Sequence, residues 1–172
     1  DSRHLPTGHE GLQVEIDARQ AFGTGTHETT RMVCSMLLEI APKGLRLLDC
    51  GCGTGILGIV GMKLGARECI SYDIDEWSVY NTRHNAVINH VDIIPLEGDA
   101  SILNKVEGEF DVVMANINRN ILLNDMPTFR LKMAPSAQLL LSGFYTDDIP
   151  MLTAKAAELG LSLADERNDG KI

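Results

Sequence analysis

The chain has 172 residues, of which 44% are hydrophobic and 23% charged, and its 24 acidic residues against 15 Lys and Arg give a formal net charge of -9 at pH 7. This length and balance predict one globular domain rather than a disordered or fibrous chain, and the apolar runs are too short to span a membrane. The acidic charge disfavours contact with a nucleic-acid backbone and favours a basic partner. No basic-then-apolar leader opens the sequence, so we expect a cytoplasmic protein if this is the natural N-terminus.

Residues 1–16 carry little pattern and are interpreted as a linker remnant, which leaves 17–172 as the predicted domain. That domain opens with "DARQAFGTGTHETT" at 17–30, before apolar residues at helical spacing. The stretch lacks the Gly-Lys-Ser/Thr ending of a phosphate loop, and its single histidine has no spaced partners for a metal. We predict a flexible loop that leads into a helix, with its threonines available as N-caps. His27 is a candidate base or substrate contact, or else a loop or capping residue.

Short apolar runs and helical patterns then alternate along the chain. The strand candidates are "LRLLDC" (45–50), "ECISYD" (68–73), "DIIPLEG" (92–98), "FDVVMANI" (110–117) and "AQLLLSGF" (137–144). The helical patterns between and after them are "ILGIVGMKLGA", "EWSVYNTRHNAVINH", the short "ASILNKV", "ILLNDMPTFRLKMA" and "TDDIPMLTAKAAELG". Buried strands that are each followed by a helix predict an α/β fold with a parallel sheet covered on both faces. Pro127 is expected to kink its helix or to mark its first turn.

A glycine-rich turn follows the first predicted strand. In "LLDCGCGTG", Asp49 stands at the strand end, and Gly51, Gly53 and Gly55 occupy the turn before the next helix. Ligands of open parallel sheets bind at the carboxyl ends of strands, where glycine lets the backbone approach closely. Gly53, Gly55 and Gly58 also satisfy the dinucleotide fingerprint G-x-G-x-x-G. The turn alone therefore leaves open an NAD-linked oxidoreductase, and also glycines that only permit close packing of the helix.

The charge of Asp49 distinguishes between the possible cofactors. A pyrophosphate in contact with this carboxylate would be repelled by roughly 4 kcal/mol per pair of unit charges at an effective dielectric near 20. S-adenosylmethionine has no phosphate and carries a cationic sulfonium and ammonium, so an acidic strand end suits it. Asp73 supports this cofactor, because it ends the second predicted strand near the spacing at which an acidic residue reaches ribose hydroxyls.

Three further polar residues follow predicted strands. Asp75 is suited to a helix N-cap and to a ligand contact, and Asp99 to an adenine contact and to a plain turn or cap. Asn116 ends the fourth predicted strand, where polar groups usually face a ligand. Its amide can accept a hydrogen bond from an amine and position that amine toward a methyl group without ionising. Asn116 is therefore the candidate catalytic residue, with a turn role as the alternative.

The sequence predicts no metal site. The four cysteines lack the Cys-x-x-Cys spacing of zinc sites, and we interpret them as reduced packing residues: Cys34, Cys50, Cys52 and Cys69. His84 and His90 are interpreted as residues of a helix surface.

Five segments, taken in order, resemble the bacterial methyltransferases of large-subunit ribosomal protein eleven: "AFGTGTHETT", "LLDCGCGTGILGI", "YDID", "VMANI" and "LLLSGF". The resemblance covers about residues 17–150, and the first segment with the downstream "ANI" is its most specific part. It implies a Rossmann-like class I methyltransferase fold, a three-layer α/β/α sandwich around a mostly parallel sheet. It also implies an S-adenosylmethionine-dependent enzyme that methylates lysine side-chain and N-terminal amines of a basic ribosomal protein.

The resemblance assigns cofactor contacts to Thr30, Gly51, Asp73 and Asn116. It further implies that the opening loop closes over the cofactor, with Phe22 covering its apolar parts. Asn116 is followed by Ile117 and not by the Pro-Pro-aromatic sequence of amide- and base-directed methyltransferases, which fits an amine target better. We expect the family's N-terminal substrate-binding domain to be missing here and the last strands to be incomplete. A cofactor-binding fragment that is inactive without that domain is thus a further alternative.

Overall fold

In the computed structural model, residues 27–163 are described, with side chains from residue 31 onward. Five strands form one sheet: β1 Arg46–Cys50, β2 Glu68–Asp73, β3 Ile94–Glu97, β4 Phe110–Asn116 and β5 Met133–Ser142. Every pairing between them is parallel, and their order is β3-β2-β1-β4-β5. The predicted parallel sheet is therefore confirmed for the described part of the chain.

The helices cover both faces of this sheet: α1 His27–Ile40, α2 Ile56–Lys63, α3 Glu76–Ile88, α4 Arg119–Leu131 and α5 Ile149–Glu158. Side chains alternate between the faces along a strand, so Leu47 packs with α1 and α2, whereas Leu48 packs with α4 and α5. Two 3-10 helices, Ala100–Lys105 and Thr146–Asp148, complete the described elements. This is the predicted three-layer α/β/α sandwich. None of the described helices is long and apolar enough to cross a membrane.

The strand order reverses between β1 and β4. The chain moves outward from β1 through β2 to β3, and then crosses back to place β4 on the other side of β1. Ligands of open α/β sheets bind at such a switch point, beyond the carboxyl ends of the strands. The turn after β1 and the loop after β4 therefore border the expected crevice.

Several predicted boundaries are wrong in detail. Helix α1 begins at His27, so Thr29 and Thr30 lie inside it and do not cap it. Pro127 lies within α4, whose first turn is capped by Asn118, so it does not mark that turn. Strand β5 begins at Met133, which pairs with Phe110 before an irregularity in the ladder. Because the first part of β5 is irregular, the sequence pattern indicates a strand only in the apolar run from residue 137 onward.

Helix α2 lies directly against β1 at Gly61. A β-carbon built on Gly61 would lie 2.2 Å from Cδ1 of Leu47, a side chain with no exposed surface. The surrounding core includes Leu37 and Ile59, both also fully buried. A methyl group at this position can be accommodated only if Leu47 leaves its preferred rotamer or α2 moves away from the sheet.

We expect Gly61→Ala to lower the free energy of unfolding by about 1–2 kcal/mol. Overpacking a core typically costs about 1–3 kcal/mol, and the better helix propensity of alanine returns up to about 1 kcal/mol. Urea denaturation measures the change. The control is Lys63→Ala on the exposed end of the same helix, which should stay within about 0.5 kcal/mol of the wild type. A Gly61→Ala variant as stable as that control would show that the interface between α2 and β1 is loosely packed.

Candidate functional site

The turn after β1 is held at the carboxyl edge of the sheet by backbone contacts. Gly51 has φ +69°, a left-handed conformation that favours glycine, and its amide donates a hydrogen bond of 2.9 Å to the carbonyl of Tyr72 at the end of β2. A β-carbon at Gly51 would lie 2.5 Å from Cγ2 of Ile117, in the loop after β4. The turn after β1 therefore contacts both the end of β2 and the loop after β4. These are the two strands that flank β1 at the switch point.

Helix α3 supports the same turn from one side with buried polar side chains. The hydroxyl of Thr82 donates to the carbonyl of Gly53 at 3.2 Å, and the side-chain amide of Asn85 donates to the carbonyl of Thr54 at 2.9 Å. Thr82 and Asn85 are both fully buried. A β-carbon at Gly55, which has φ +86°, would lie 2.9 Å from Cγ2 of Thr82. Helix α3 thus fixes the shape of the glycine turn.

These supporting residues were missed in the sequence. A signal was available in the pattern of α3, where Asn81, Asn85 and Asn89 recur every fourth residue and all three are buried. On the same helix Trp77 and Tyr80 are half exposed. A helix with buried asparagines and half-exposed aromatic residues departs from the usual arrangement, and it indicates that polar side chains of the inner face bind neighbouring backbone groups.

Asp73, the last residue of β2, ties its strand to the glycine turn. Its Oδ2 accepts a hydrogen bond of 3.1 Å from the amide of Gly53, and its Oδ1 accepts one of 3.0 Å from the amide of Asp75. Asp75 caps α3 by accepting from the amide of Trp77 at 3.2 Å, so the N-cap interpretation of Asp75 is confirmed. A carboxylate has about four acceptor positions, and Asp73 uses two of them for these bonds.

Asp49 is buried at the carboxyl end of β1, with 1% of its surface exposed. The pKa of its carboxyl is raised to about 7, chiefly by burial and also by the charge of Asp73, while a hydrogen bond from the amide of Gly58 opposes the shift. Its Oδ2 has no hydrogen-bond partner among the described residues, and neither has Oγ of Ser71, which pairs with Asp49 on the adjacent strand. The sequence predicts a fully ionised carboxylate here, whereas burial leaves Asp49 only partly charged near neutral pH.

Asn116 is the last residue of β4 and pairs with Ser142 of β5. A β-carbon on Gly143 would lie 2.7 Å from Oδ1 of Asn116, so the loop after β5 lies directly against this side chain. The capping role at the start of α4 falls to Asn118, whose Oδ1 accepts from the amide of Ile121 at 3.1 Å. Asn116 is therefore a strand residue that borders the crevice and does not form the turn.

Two side chains lie at the β2 and β3 side of the crevice. Asp99 is exposed and caps the 3-10 helix after β3, where its Oδ1 accepts from the amide of Ser101 at 2.9 Å. The hydrogen bonds from Ser101 lower the pKa of Asp99 below its ordinary value. Ile74, which follows Asp73, is 71% exposed although it is large and apolar. It was missed in the sequence, where an apolar residue between two aspartates outside any strand was the available signal.

Two of the predicted cofactor contacts cannot be located from the described side chains. Phe22 lies outside the described residues, and Thr30 lies in α1 with its side chain outside the described set, as does His27 at the start of that helix. Their roles stay predictions.

The four cysteines are reduced and buried. Cys34 and Cys69 belong to the core on the α1 and α2 face, and Cys50 to the core on the opposite face. Burial raises the pKa of the Cys34 thiol to about 12, which keeps it protonated and unreactive. Within residues 27–163, no three His, Cys, Asp or Glu side chains form a group that could hold a metal ion. The cysteines therefore serve as packing residues.

The raised pKa of Asp49 predicts a pH-dependent stability. The folded state holds this proton more tightly than the unfolded chain, so the contribution of Asp49 is present below about pH 4 and is lost as the pH rises through about 7. Asp49→Asn cannot ionise. We expect its free energy of unfolding, relative to wild type, to rise over this window by at most about 1.4 kcal/mol per pH unit. Urea denaturation at several pH values measures it, and a constant difference would show that Asp49 is ionised throughout.

Comparison with known proteins agrees with this arrangement. A family model described as Ribosomal protein L11 methyltransferase (PrmA) matches residues 2–171. The ribosomal protein L11 methyltransferase of Porphyromonas gingivalis is 51% identical over 158 residues, which are 91% of this chain and 54% of that protein. The corresponding protein of Bacteroides thetaiotaomicron is 47% identical over 169 residues, which are 98% of this chain and 60% of that protein. The chain thus spans little more than half the length of these relatives.

The chain is also similar to solved structures. The crystal structure of ribosomal protein L11 methylase from Lactobacillus delbrueckii subsp. bulgaricus superposes with a TM-score of 0.85 at 30% identity, covering 99% of this chain and 92% of that one. A precorrin-8w decarboxylase from Methanobacterium thermoautotrophicum shares the fold, with a TM-score of 0.69 at 18% identity over 81% of this chain and 75% of that one. From the matched family model and the identity to these relatives, the chain belongs to the ribosomal protein L11 methyltransferase family.

Proposed function

We propose that this chain is the S-adenosylmethionine-binding and catalytic part of a protein methyltransferase that modifies lysine side-chain and N-terminal amines of ribosomal protein L11. The observation that carries the proposal is the convergence of three strand ends at the switch point of the sheet. There the glycine turn after β1 is hydrogen-bonded to Asp73 at the end of β2 and packs against Ile117, which follows Asn116 at the end of β4. The net charge of -9 suits a basic protein substrate, and a ribosomal protein as substrate implies a cytoplasmic location.

The residues at the crevice fit S-adenosylmethionine chemically. The glycine turn lies at the carboxyl edge of the sheet, where ligands of open α/β sheets bind, and the partnerless Oδ2 of Asp49 is a buried acceptor on the strand that leads into the turn. A cationic ligand satisfies such an acceptor, whereas a pyrophosphate does not. The residues proposed to hold the cofactor are Phe22, Thr30, Asp49, Gly51, Gly53, Gly55, Asp73, Asp99 and Asn116, with Ile74 added from its exposure beside Asp73.

Each part of the cofactor has a proposed partner. Free acceptor positions on Asp73 suit the two ribose hydroxyls, and the exposed side chain of Ile74 suits the face of an adenine ring, with Asp99 at its edge. From the family resemblance, Thr30 binds the methionine end and Phe22 covers apolar parts of the ligand. The capping bond that Asp99 makes to Ser101 leaves acceptor positions on its carboxylate for the exocyclic amine of adenine.

The protein's contribution to the reaction is to orient an uncharged amine. When bound, S-adenosylmethionine supplies a methyl group on a sulfonium that is already activated. Asn116 accepts a hydrogen bond from the target amine and so directs the lone pair of that amine. Because removal from water lowers the pKa of an amine, the crevice favours the neutral form, and a dedicated general base is not required.

An NAD-linked oxidoreductase, the alternative left open by the glycine pattern, is not favoured. The third glycine of that pattern, Gly58, has a packing role here, since a β-carbon on it would lie 2.9 Å from Sγ of Cys69 and 3.6 Å from Oδ2 of Asp49. The family to which the chain belongs consists of methyltransferases by its description. The third glycine of the dinucleotide fingerprint also packs its helix against the sheet, so it is the family match and not the packing of Gly58 that disfavours the dinucleotide.

We expect Asp73→Asn to weaken the binding of S-adenosylmethionine by about tenfold to a hundredfold. Hydrogen bonds to a charged group are worth about 1.5–3 kcal/mol, and the amide keeps only one acceptor oxygen. Isothermal titration calorimetry measures the affinity. The matched control is Asp92→Asn, the same change at an exposed residue before β3 at the opposite edge of the sheet. Equal affinities of the two variants would remove Asp73 from the cofactor site.

The activity itself is tested by mass spectrometry of ribosomal protein L11 after incubation with S-adenosylmethionine and the natural protein that contains this chain. We expect added methyl groups on amines, and a loss of at least about a hundredfold in rate for Asn116→Ala because the amine is no longer positioned. Asn124→Ala, an exposed asparagine on α4, is the control and should keep the wild-type rate.

Two outcomes decide between the alternatives. If the natural protein adds no methyl group to L11, the proposed substrate is wrong. If residues 1–172 alone bind S-adenosylmethionine but only the natural protein transfers methyl groups, the chain is a cofactor-binding part that requires a further segment to recruit its substrate.

A further inference from the structure

The loops that follow β4 and β5 are joined into one rigid wall of the crevice. The amide of Ile117 donates to the carbonyl of Ser142 at 3.2 Å, which extends the pairing of the two strands beyond Asn116. Gly143 has φ +87°, and a β-carbon on it would lie 2.7 Å from Oδ1 of Asn116 and 2.9 Å from the amide nitrogen of Ile117. The backbone after β5 is therefore fixed against the proposed catalytic side chain.

A buried carboxylate holds the next part of this wall. Asp148 is only 8% exposed, and its Oδ1 accepts from Nη1 of Arg119 at 3.1 Å, which links it to the first residue of α4. Its Oδ2 accepts from the amide of Tyr145 at 2.9 Å, and its own amide donates to the carbonyl of Tyr145 at 2.9 Å. Both oxygens of one carboxylate thus connect the loop after β4 to the backbone of Tyr145.

The backbone of Tyr145 is held by hydrogen bonds, whereas its ring is exposed to solvent. It is 76% exposed, whereas the preceding Phe144 packs against the core. Tyr145 follows Gly143 by two residues, so their Cα atoms are at most about 7 Å apart. The Tyr145 ring is therefore exposed on a backbone held by two hydrogen bonds to Asp148 and lies within reach of Asn116, a position suited to contact with a molecule outside the chain.

We propose that Tyr145 contacts the amine-bearing side chain of the protein substrate and that the Arg119–Asp148 pair positions it. The inference rests on the proposed function. The face of a tyrosine ring attracts an ammonium group and packs well against the methylenes of a lysine stem. As the substrate approaches Asn116, the ring packs against the methylenes of the lysine stem, and this contact is the same before the transfer and during it.

The proposed contact of the Tyr145 ring also predicts which kinetic constant of methyl transfer depends on this residue. Tyr145 follows β5, which β4 separates from β1 and β2, and its backbone is bonded to Asp148, so we expect the binding of S-adenosylmethionine to be independent of it. Its contact with the substrate is present before the transfer and during it, and such uniform binding changes KM for the protein substrate with little effect on kcat.

Steady-state kinetics of the natural protein, with ribosomal protein L11 varied at saturating S-adenosylmethionine, tests this role. We expect Tyr145→Ala to raise KM for L11 by about tenfold, with kcat lowered less than twofold and with KM for S-adenosylmethionine and the melting temperature unchanged. Tyr145→Phe, which retains the ring, should recover most of the loss. Asp148→Asn removes the charge pair with Arg119 and should raise KM for L11 in the same direction by a smaller factor.

Tyr80→Ala is the matched control, because Tyr80 is a half-exposed tyrosine on α3, where it stacks on His84 away from this wall. It should leave KM for L11 unchanged. An unchanged KM for L11 in Tyr145→Ala, or an equal rise for both substrates, would overturn the inference while the proposed function stands. No methyl transfer by the wild-type protein would overturn both.

Discussion

The turn after β1 and the start of α2 are packed so closely by their neighbours that a β-carbon does not fit at three of their glycines. In the turn, Gly51 lies against the loop after β4 and Gly55 against α3, and in α2 Gly58 lies against β2. Each contact joins this segment to a different element, and together they set the distance between the strand ends at the switch point. The arrangement of the site therefore depends on this close approach more than on any single side chain.

The bonds that hold the turn are polar and buried, which explains the unusual composition of α3. Backbone carbonyls in a tight turn have no strand or helix partners, and leaving them buried without donors costs about 1–3 kcal/mol each. Thr82 and Asn85 supply those donors, and the carboxylate of Asp73 accepts from the amide of Gly53. Part of the inner face of α3 therefore carries polar side chains, which fix the backbone of the turn, in place of apolar contacts with the sheet. The aromatic side chains of this helix, Trp77 and Tyr80, are half exposed, while the smaller apolar side chains of Val79 and Ala86 stay buried.

The sequence predicts the sheet well because buried parallel strands leave continuous apolar runs, and Asp49, Asp73 and Asn116 follow from the positions at which those runs end. The features of the site that the sequence does not reveal are those that depend on tertiary contacts. The pKa of Asp49 is raised by burial that no local pattern shows. The bond between Arg119 and Asp148 spans residues far apart in sequence. The roles of Thr82 and Asn85 require the neighbouring turn, although their buried spacing was visible in the helix pattern.

The use of an amide at position 116 follows from the charges around it. Asp49 and Asp73 already place carboxyl groups at the ends of β1 and β2, and the charge of Asp73 adds to the effect of burial in raising the pKa of Asp49. A carboxylate at Asn116 would add a third and would stabilise an approaching amine in its protonated form, because a nearby negative charge raises the pKa of an amine. A protonated amine has no lone pair to attack a methyl group. An amide oxygen binds the neutral amine by a hydrogen bond without favouring the cation to the same degree. In the proposed reaction, the side chain that touches the nucleophile therefore has to be polar and uncharged, while the acidic residues stay on the cofactor side of the crevice.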